Sequence, residues 1–288
     1  MASRTHFIHK GILFPATDIY TVEHLTYIED EFQLMDDDVV NVTYPKSGTH
    51  WMAEILSLIH QDGDPTWVRN VLLSERVPWI ENIETKDILL NYTPPRFLST
   101  HLPLQLFPKS FHHSKAKVIY TVRNPKDVLV SFYYFIKAFK FLKDYARTLQ
   151  EDLEEFLSGN RVYGSWFDHV KGWLTMKDKP NFFFITYEEL QQDLWGSVER
   201  ICRFLGKELT DQQIDSVVEN ASFETMKDNK MSNMSQVSDK IMDHSKGKLM
   251  RKGKSGTWKS SLTVAQSERF DRVYQEKMRG VTVAFPWD

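Results

Sequence analysis

The chain has 288 residues, 41% of them apolar, which is enough to bury the core of one large α/β domain or of two small ones. Its formal net charge is −3, so nucleic-acid binding is not expected, and any anionic ligand must be held by local cations and backbone amides. The single cysteine, Cys202, excludes an intrachain disulfide. The first fifteen residues lack the apolar core of a signal peptide, and no run is apolar enough to cross a bilayer. We therefore expect a cytoplasmic protein.

Short apolar runs alternate with helical patterns along the chain. The predicted strands cover residues 39–44, 96–101, 117–122 and 181–187, and the main predicted helices cover 51–60 and 125–139. Strands separated by helices favour a parallel sheet covered on both faces. The predicted fold is therefore α/β, with one domain over residues 1–288 and a central parallel sheet flanked by helices.

A polar, methionine-rich stretch with weak periodicity covers residues 226–257. A stretch of this length without clear structure is typical of a lid or a binding loop. We expect residues 226–250 to form a mobile cover, because methionine adapts to irregular apolar shapes.

The loop after the first predicted strand has the sequence TYPKSGTHW, residues 43–51. A loop that leads into a helix N-terminus presents free amides and a partial positive charge, which suit a phosphate. Lys46 adds a charge, Ser47 and Thr49 add hydroxyls, and Gly48 permits close approach. The loop is P-loop-like but lacks the G-x-x-x-x-G-K-[ST] order. Taken alone, it is equally compatible with an ordinary turn capped by serine or threonine.

Two further stretches carry residues suited to a second anion. VRNPKDVLVS places Arg123 just beyond a strand and Ser131 on the helix that follows, while RKGKSGTWK brings Arg251, Lys252 and Gly253 together. A run such as RKGK is in isolation more often a solvated charge run. The combination predicts a ligand with two separated phosphate-like groups.

Four segments, TYPKSGTHW, RFLSTHLP, VRNPKDVLVS and RKGKSGTWK, together resemble the signature segments of the cytosolic sulfotransferases. The hydroxysteroid, or bile-salt, subfamily is the most similar, and the resemblance covers essentially the whole chain. It implies a sulfuryl transfer from 3′-phosphoadenylyl sulfate (PAPS) to a hydroxyl of a steroid, a bile acid or a related alcohol. The product nucleotide would be adenosine 3′,5′-bisphosphate, and no metal is implied.

The resemblance also implies a donor site, carried over position by position. The first loop would hold the 5′-phosphosulfate, three aromatic residues would lie against the adenine, and the arginine-containing segments would hold the 3′-phosphate. Ala221 replaces the hydroxyl residue usual in the family. The implied donor-binding residues are Lys46, Ser47, Gly48, Thr49, His50, Trp51, Arg123, Ser131, Tyr187, Ala221, Ser222, Phe223, Met226, Arg251, Lys252 and Gly253.

The implied catalytic residues are His101, Lys46 and His50. His101 matches the family's general base, a role that suits an imidazole near pH 7, and Lys46 would stabilise the charge on the leaving 5′-phosphate. His50 stands where the family more often has asparagine. Three interpretations remain open for it: a hydrogen-bond donor to the sulfuryl oxygens, a second base, or a tolerated substitution.

The acceptor pocket and a dimer motif are also implied by the resemblance. Trp79, Phe135, Phe141 and Tyr163 match acceptor-binding positions, although an aromatic cluster is more often plain core. A homodimer would form through Lys259, Thr263, Val264 and Glu268, while Thr263 is also a natural helix N-cap. The alternative hypotheses for the function are a sulfotransferase for phenols or other small alcohols, a phosphotransferase using a nucleoside triphosphate, and a nonenzymatic nucleotide or sterol binder.

Overall fold

The computed structural model describes residues 6–139, 147–247 and 249–288, so the predicted acceptor residue Phe141 lies outside the described residues. Its strands are β1 (His6–His9), β2 (Ile12–Pro15), β3 (Val39–Thr43), β4 (Phe97–Thr100), β5 (Lys117–Val122) and β6 (Phe182–Thr186). The first two form an antiparallel hairpin. The other four form a parallel sheet in the order β4-β3-β5-β6, which confirms the predicted sheet.

The helices of the described residues connect these strands and cover the sheet. They are α1 (Val22–Asp30), α2 (Thr49–His60), α3 (Thr66–Asn70), α4 (Leu73–Arg76), α5 (Lys86–Asn91), α6 (Pro125–Ile136), α7 (Leu149–Ser158), α8 (Trp166–Leu174), α9 (Tyr187–Gln192), α10 (Leu194–Leu205), α11 (Asp211–Asn220), α12 (Phe223–Asp228) and α13 (Val264–Lys277). No helix among the described residues is long and apolar enough to span a bilayer.

Two apolar layers cover the two faces of the sheet, because successive strand side chains point to opposite sides. Val39, Ile119 and Ile185 pack with α2, α10 and α11 on one face. Val40 and Tyr120 pack with α1, α6, α7, α8 and α13 on the other. Both layers share one sheet, so the structure is a single α/β domain.

The order of the strands places a topological switch point between β3 and β5. The chain leaves β3 towards β4 on one side and later returns to β5 on the other. Helices α2 and α6, which follow β3 and β5, therefore diverge from neighbouring strand ends. Open parallel sheets bind their ligands in the crevice that such divergence creates.

Several predicted boundaries are shifted. Helix α2 begins at Thr49 rather than at residue 51, and α6 ends at Ile136 rather than at 139. His101 lies just beyond β4 instead of closing it, and Tyr187 opens α9 instead of ending β6. Both shifts reflect polar side chains that end the strands: the hydroxyl of Thr100 accepts from the amide of Leu102, and that of Thr186 caps α9.

Candidate active site

The loop after β3 enters α2 through a left-handed glycine. Gly48 is the N-cap of α2, with φ +108°, and no side chain of a described residue caps the first-turn amides. The predicted alternative, a turn capped by serine or threonine, is therefore wrong. A Cβ at Gly48 would lie 2.9 Å from the Tyr187 ring, so glycine is required by both the backbone and the space available. The uncapped helix end leaves its amides and partial positive charge for a ligand.

The side chain of Lys46 turns towards α6. Its Nζ lies 3.5 Å from the centroid of the Phe135 ring, and no hydrogen bond or ion pair joins that nitrogen to another described residue. Desolvation, assisted by the nearby positive charges of Arg123 and Arg251, lowers the pKa of Lys46 to about 7. A bound anion would relieve this repulsion and restore the full charge.

The two hydroxyls of the loop have different surroundings. Ser47 is buried, and its hydroxyl has no partner among the described residues. The Thr49 hydroxyl is 2.6 Å from that of Thr43. Asn41, in the middle of β3, donates to the Thr49 carbonyl at 3.0 Å and to the Ser99 hydroxyl at 3.2 Å. This buried amide fixes the start of α2 against β4, and sequence patterning missed it because Asn41 interrupts an apolar strand.

The second group of cations lies at the end of β5. Arg123 donates to the carbonyls of Lys46 and Lys254, each at 3.2 Å, and its Nε has no partner in the described part of the chain. Its guanidinium lies 4.2 Å from the Tyr187 ring centroid, and that of Arg251 lies 4.6 Å from the Tyr134 ring centroid. Within the described ranges, Lys46, Arg123 and Arg251 thus each face an aromatic ring and none forms a salt bridge.

Residues 256–258 are fixed by a buried carboxylate. Asp127, in the first turn of α6, accepts from the Gly256 amide (2.6 Å), the Thr257 hydroxyl (2.9 Å) and the Trp258 amide (3.0 Å). Asn124, not Asp127, caps α6. The only local feature of Asp127 in the sequence is its position two residues after a first-turn proline. That position does not indicate a partner 130 residues away.

The positions assigned to the adenine lie together beside the loop. The Trp51 indole donates to the Ala221 carbonyl at 2.8 Å, and its ring meets that of Tyr187 edge-on at 5.1 Å. Gly253 has φ +62°, and a Cβ there would lie only 2.1 Å from the Phe223 ring. Ser222 caps α12, and Met226 is buried one turn later. The main-chain carbonyl of Ala221 makes the contact to Trp51, so having alanine in place of a hydroxyl residue does not remove this hydrogen bond.

His101 has one ring nitrogen fixed by β3. Its Nδ1 lies 2.8 Å from the Thr43 carbonyl oxygen, and because a carbonyl only accepts, Nδ1 carries the proton in the neutral ring. The lone pair is then on Nε2, which has no hydrogen-bond partner among the described residues. Desolvation, opposed by the bond to Thr43 and assisted by the charges of His169, His50 and Lys46, lowers the pKa of His101 to about 3.

The main chain of His101 is held on both sides. Its amide donates to the Glu81 carboxyl at 2.8 Å, and its carbonyl accepts from Nε2 of His169 at 3.2 Å. His169 lies on α8 with its Nδ1 2.9 Å from the Tyr120 hydroxyl. Burial raises the pKa of Glu81 to about 7. Sequence reasoning missed Glu81, whose position depends on the bridge between Trp79 and Ser99.

His50 lies in the first turn of α2, and its ring is 6.5 Å from that of Trp79, which in turn is 4.5 Å from that of His101. No hydrogen bond joins its ring to another described residue. Desolvation, with smaller effects from Lys46 and Arg76, lowers the pKa of His50 to about 3. The ring is therefore neutral at pH 7, with one N–H to donate and one lone pair to accept.

One cavity of about 400 Å³ connects these groups. Its polar end contains Lys46, Arg123 and Arg251, and an apolar end is lined by Trp79, Phe135, Phe139, Tyr163 and Met234. Three of the predicted donor residues, Ser47, Ala221 and Ser222, are not on its wall. Val237 and Met242 of the predicted cover pack with Met234 onto the end of α6. No group of three or more His, Cys, Asp or Glu side chains in the described ranges could hold a metal ion.

Comparison with known proteins agrees with this arrangement. The family model "Sulfotransferase domain" matches residues 36–282. Sulfotransferase 2B1 of Mus musculus is 52% identical over 283 residues, which are 98% of this chain and 83% of the mouse protein. The 3-beta-hydroxysteroid sulfotransferase of Cavia porcellus is 48% identical over 280 residues, 97% of each chain.

A solved structure of retinol dehydratase in complex with androsterone and the inactive cofactor PAP superposes with a TM-score of 0.83 at 26% identity. It covers 93% of this chain and 88% of the other. The family match over most of the chain, together with relatives at about half identity over nearly its full length, identifies the protein. The chain belongs to the hydroxysteroid sulfotransferases and is a sulfuryl-transferring enzyme.

Proposed function

We propose that this enzyme transfers the sulfuryl group of PAPS to a hydroxyl of a steroid or bile acid, with His101 as the general base. The observation that carries the proposal is one cavity that joins the lone pair on Nε2 of His101 to an apolar wall and to three cations, Lys46, Arg123 and Arg251. None of the three has a carboxylate partner in the described part of the chain. In the reaction the acceptor oxygen forms a bond to sulfur, and the bond from sulfur to the 5′-phosphate oxygen breaks. The hydroxyl proton goes to Nε2 of His101.

The donor, when bound, supplies the activated sulfuryl group and the leaving bisphosphate. Lys46, Ser47, Gly48 and Thr49 would hold its 5′ side, where the uncapped amides of α2 and the unpartnered Ser47 hydroxyl offer donors. Lys46 would stabilise the charge that develops on the 5′-phosphate. Arg123, Ser131, Arg251, Lys252 and Gly253 would hold the 3′-phosphate, and the buried Nε of Arg123 is an unused donor for it.

The adenine would lie between the rings of Trp51, Tyr187 and Phe223, because all three line the same cavity as the cations. Met226 would line this pocket, and Ala221 and Ser222 would support it from behind. The relative that is solved with PAP supports the same ligand class for this chain. No residue of the proposed step requires a metal ion.

His50 would donate a hydrogen bond to the sulfuryl oxygens, as asparagine would. Its neutral ring and the lack of a partner within the described ranges support this role. A neutral His50 ring also adds no positive charge that would oppose protonation of His101.

The turnover of variants of His101 and His50, measured across a range of pH, distinguishes the roles of the two histidines. We expect His101→Ala to lose activity at least 100-fold at every pH, while His50→Asn keeps it within about 10-fold. Turnover that survives in His101→Ala but not in His50→Asn or His50→Ala would reverse the two assignments. Binding of adenosine 3′,5′-bisphosphate to each variant, measured by calorimetry, controls for loss of the donor site.

The acceptor would lie against Trp79, Phe135 and Tyr163, at the apolar end of the cavity. A steroid acceptor follows from the named relatives, and the androsterone complex of a related structure supports it. Phe141 is proposed as a fourth contact by resemblance alone. Residues 226–250 would act as the mobile cover of this end within a single domain over residues 1–288.

Transfer of labelled sulfate from PAPS to a panel of 3-hydroxysteroids, bile acids and simple phenols tests the function. We expect product with steroids or bile acids at kcat/KM values at least 10-fold above those with phenols. Product with phenols alone would make the enzyme a phenol sulfotransferase. No product with any hydroxyl acceptor, despite bisphosphate binding, would leave a nonenzymatic binder.

A homodimer would form through Lys259, Thr263, Val264 and Glu268, in the cytoplasm. All four side chains are exposed, and Val264 is 75% exposed at the first position of α13, where an apolar side chain gains from being covered. We expect Val264→Glu to convert the dimer to a monomer in sedimentation at micromolar concentration, whereas Ala265→Glu, one position along, should not. An unchanged dimer would contradict the proposal.

A further inference from the structure

The contact between Lys46 and Phe135 joins the two halves of the cavity. Lys46 belongs to the donor loop, whereas Phe135, on α6, lines the apolar end. The distance of 3.5 Å from Nζ to the ring centroid is that of a close cation–π contact, and Nζ has no other polar partner in the described part of the chain. A donor-site cation therefore covers a face of an acceptor-site ring.

Phe135 also contacts the proposed cover. Its ring lies 4.6 Å from that of Phe139, and both pack with Met234 and Met242. A change in what occupies the Phe135 ring face would therefore also affect Met234 and Met242 of the proposed cover.

We infer that Lys46 couples the two sites: binding of a 5′-phosphate draws its ammonium off the Phe135 ring, and the freed ring face then receives the steroid. The inference rests on the proposed function. An apolar acceptor cannot pack on that face while Nζ occupies it. The ammonium fills the space above the ring and would be buried against apolar surface without a compensating hydrogen bond. The anion offers Nζ a stronger partner than the ring, and repulsion from Arg123 and Arg251 falls when the anion is present.

The coupling must be reciprocal, since both ligands act on one equilibrium. Adenosine 3′,5′-bisphosphate should tighten the binding of androsterone, and androsterone should tighten that of the bisphosphate by the same factor. A cation–π contact of about 0.5–2 kcal/mol corresponds to a factor between about 2 and about 30. The effect requires the 5′-phosphate, so adenosine 3′-phosphate should bind without producing it.

The experiment is a set of calorimetric titrations of androsterone into the protein, alone and saturated with each nucleotide. We expect tighter steroid binding with the bisphosphate only. In Phe135→Leu, which keeps an apolar wall but removes the ring, the factor should fall to about 1. Phe132→Leu is the matched control, because Phe132 lies on the same helix and cavity wall but faces Arg161, at 4.4 Å, and it should keep the factor.

A direct measurement on the unaltered sequence keeps the inference testable if Phe135→Leu binds no steroid. Protons held over a ring face resonate upfield, so the ε-methylene signal of Lys46, assigned with Lys46→Arg, should be upfield-shifted and should return on addition of bisphosphate. An unshifted signal, equal coupling by adenosine 3′-phosphate, or weaker steroid binding with bisphosphate would each overturn the inference. Failure of both ligands to bind would instead overturn the proposed function.

Discussion

Asp127 offers the sharpest test of how the proposed 3′-phosphate end is built. Its Oδ2 accepts from the Gly256 amide, and its Oδ1 accepts from the Thr257 hydroxyl and the Trp258 amide. In Asp127→Asn the amide oxygen can replace only one of these two atoms. If it replaces Oδ1, the new NH2 group faces the Gly256 amide, and one buried N–H is left without an acceptor.

The cost can be worked out from these three bonds. An orphaned buried donor costs about 1–3 kcal/mol, and two bonds that lose a charged acceptor weaken by about 0.5 kcal/mol each. The total is about 2–4 kcal/mol of unfolding free energy. For a chain of this length the unfolding entropy is about 0.6 kcal/mol per degree, so Tm should fall by about 3–7 °C.

The same change should loosen the segment that carries Arg251, Lys252 and Gly253. We expect affinity for adenosine 3′,5′-bisphosphate, measured by calorimetry, to fall at least 10-fold, and affinity for adenosine 5′-phosphate to change less than 3-fold. Asp168→Asn is the control: the side chains of Asp168 and its partner Lys171, at 3.2 Å, are both exposed, so it should cost less than about 1 kcal/mol. A variant that loses 3–7 °C yet binds the bisphosphate within 3-fold of the unaltered protein would refute the reasoning.

Two further predictions concern the 5′ end. Because the pKa of Lys46 is lowered to about 7 in the free protein and an anion raises it, bisphosphate binding should take up protons above pH 7 and weaken as pH rises, whereas below pH 6 Lys46 is protonated before binding. Calorimetry at pH 8 in buffers of different ionisation enthalpy measures this uptake, and an uptake that persists in Lys46→Gln would contradict the assignment. Gly48→Ala should weaken bisphosphate binding at least 10-fold, because its Cβ would meet Tyr187 at 2.9 Å. Gly280→Ala has the same left-handed backbone, at φ +85°, but nothing within 4 Å, and it should leave binding unchanged.

The sequence predicted the strands and the residues that line the polar end, because these depend on local patterns. Apolar runs such as VVNVT can be buried only within a covered sheet, and β3 occupies 39–43, within the predicted 39–44. The sequence predicts the start of α2 two residues late, because Thr49 and His50 resemble loop residues. Gly48 in the left-handed region allows the helix to begin at Thr49.

Contacts between distant segments could not be predicted from the sequence. Glu81 reaches the His101 amide through the bridge between Trp79 and Ser99, and Asp127 reaches a segment 130 residues later. Each is one acid among many in the sequence, with no pattern that distinguishes it. The position of Lys46 on the Phe135 ring likewise depends on the distance between the loop after β3 and helix α6, which no single-sequence period encodes.

Tyr187 has a consequence for how this site can change over evolution. Its ring limits the space at Gly48, lies under the guanidinium of Arg123 and meets the Trp51 ring edge-on. One side chain therefore contacts the residues proposed to bind the 5′-phosphosulfate, the 3′-phosphate and the adenine. A smaller residue at 187 would make room for a side chain at 48 while removing support from Arg123. Changes at these positions are therefore expected to depend on one another, and nucleotide preference would shift through linked substitutions rather than one position at a time.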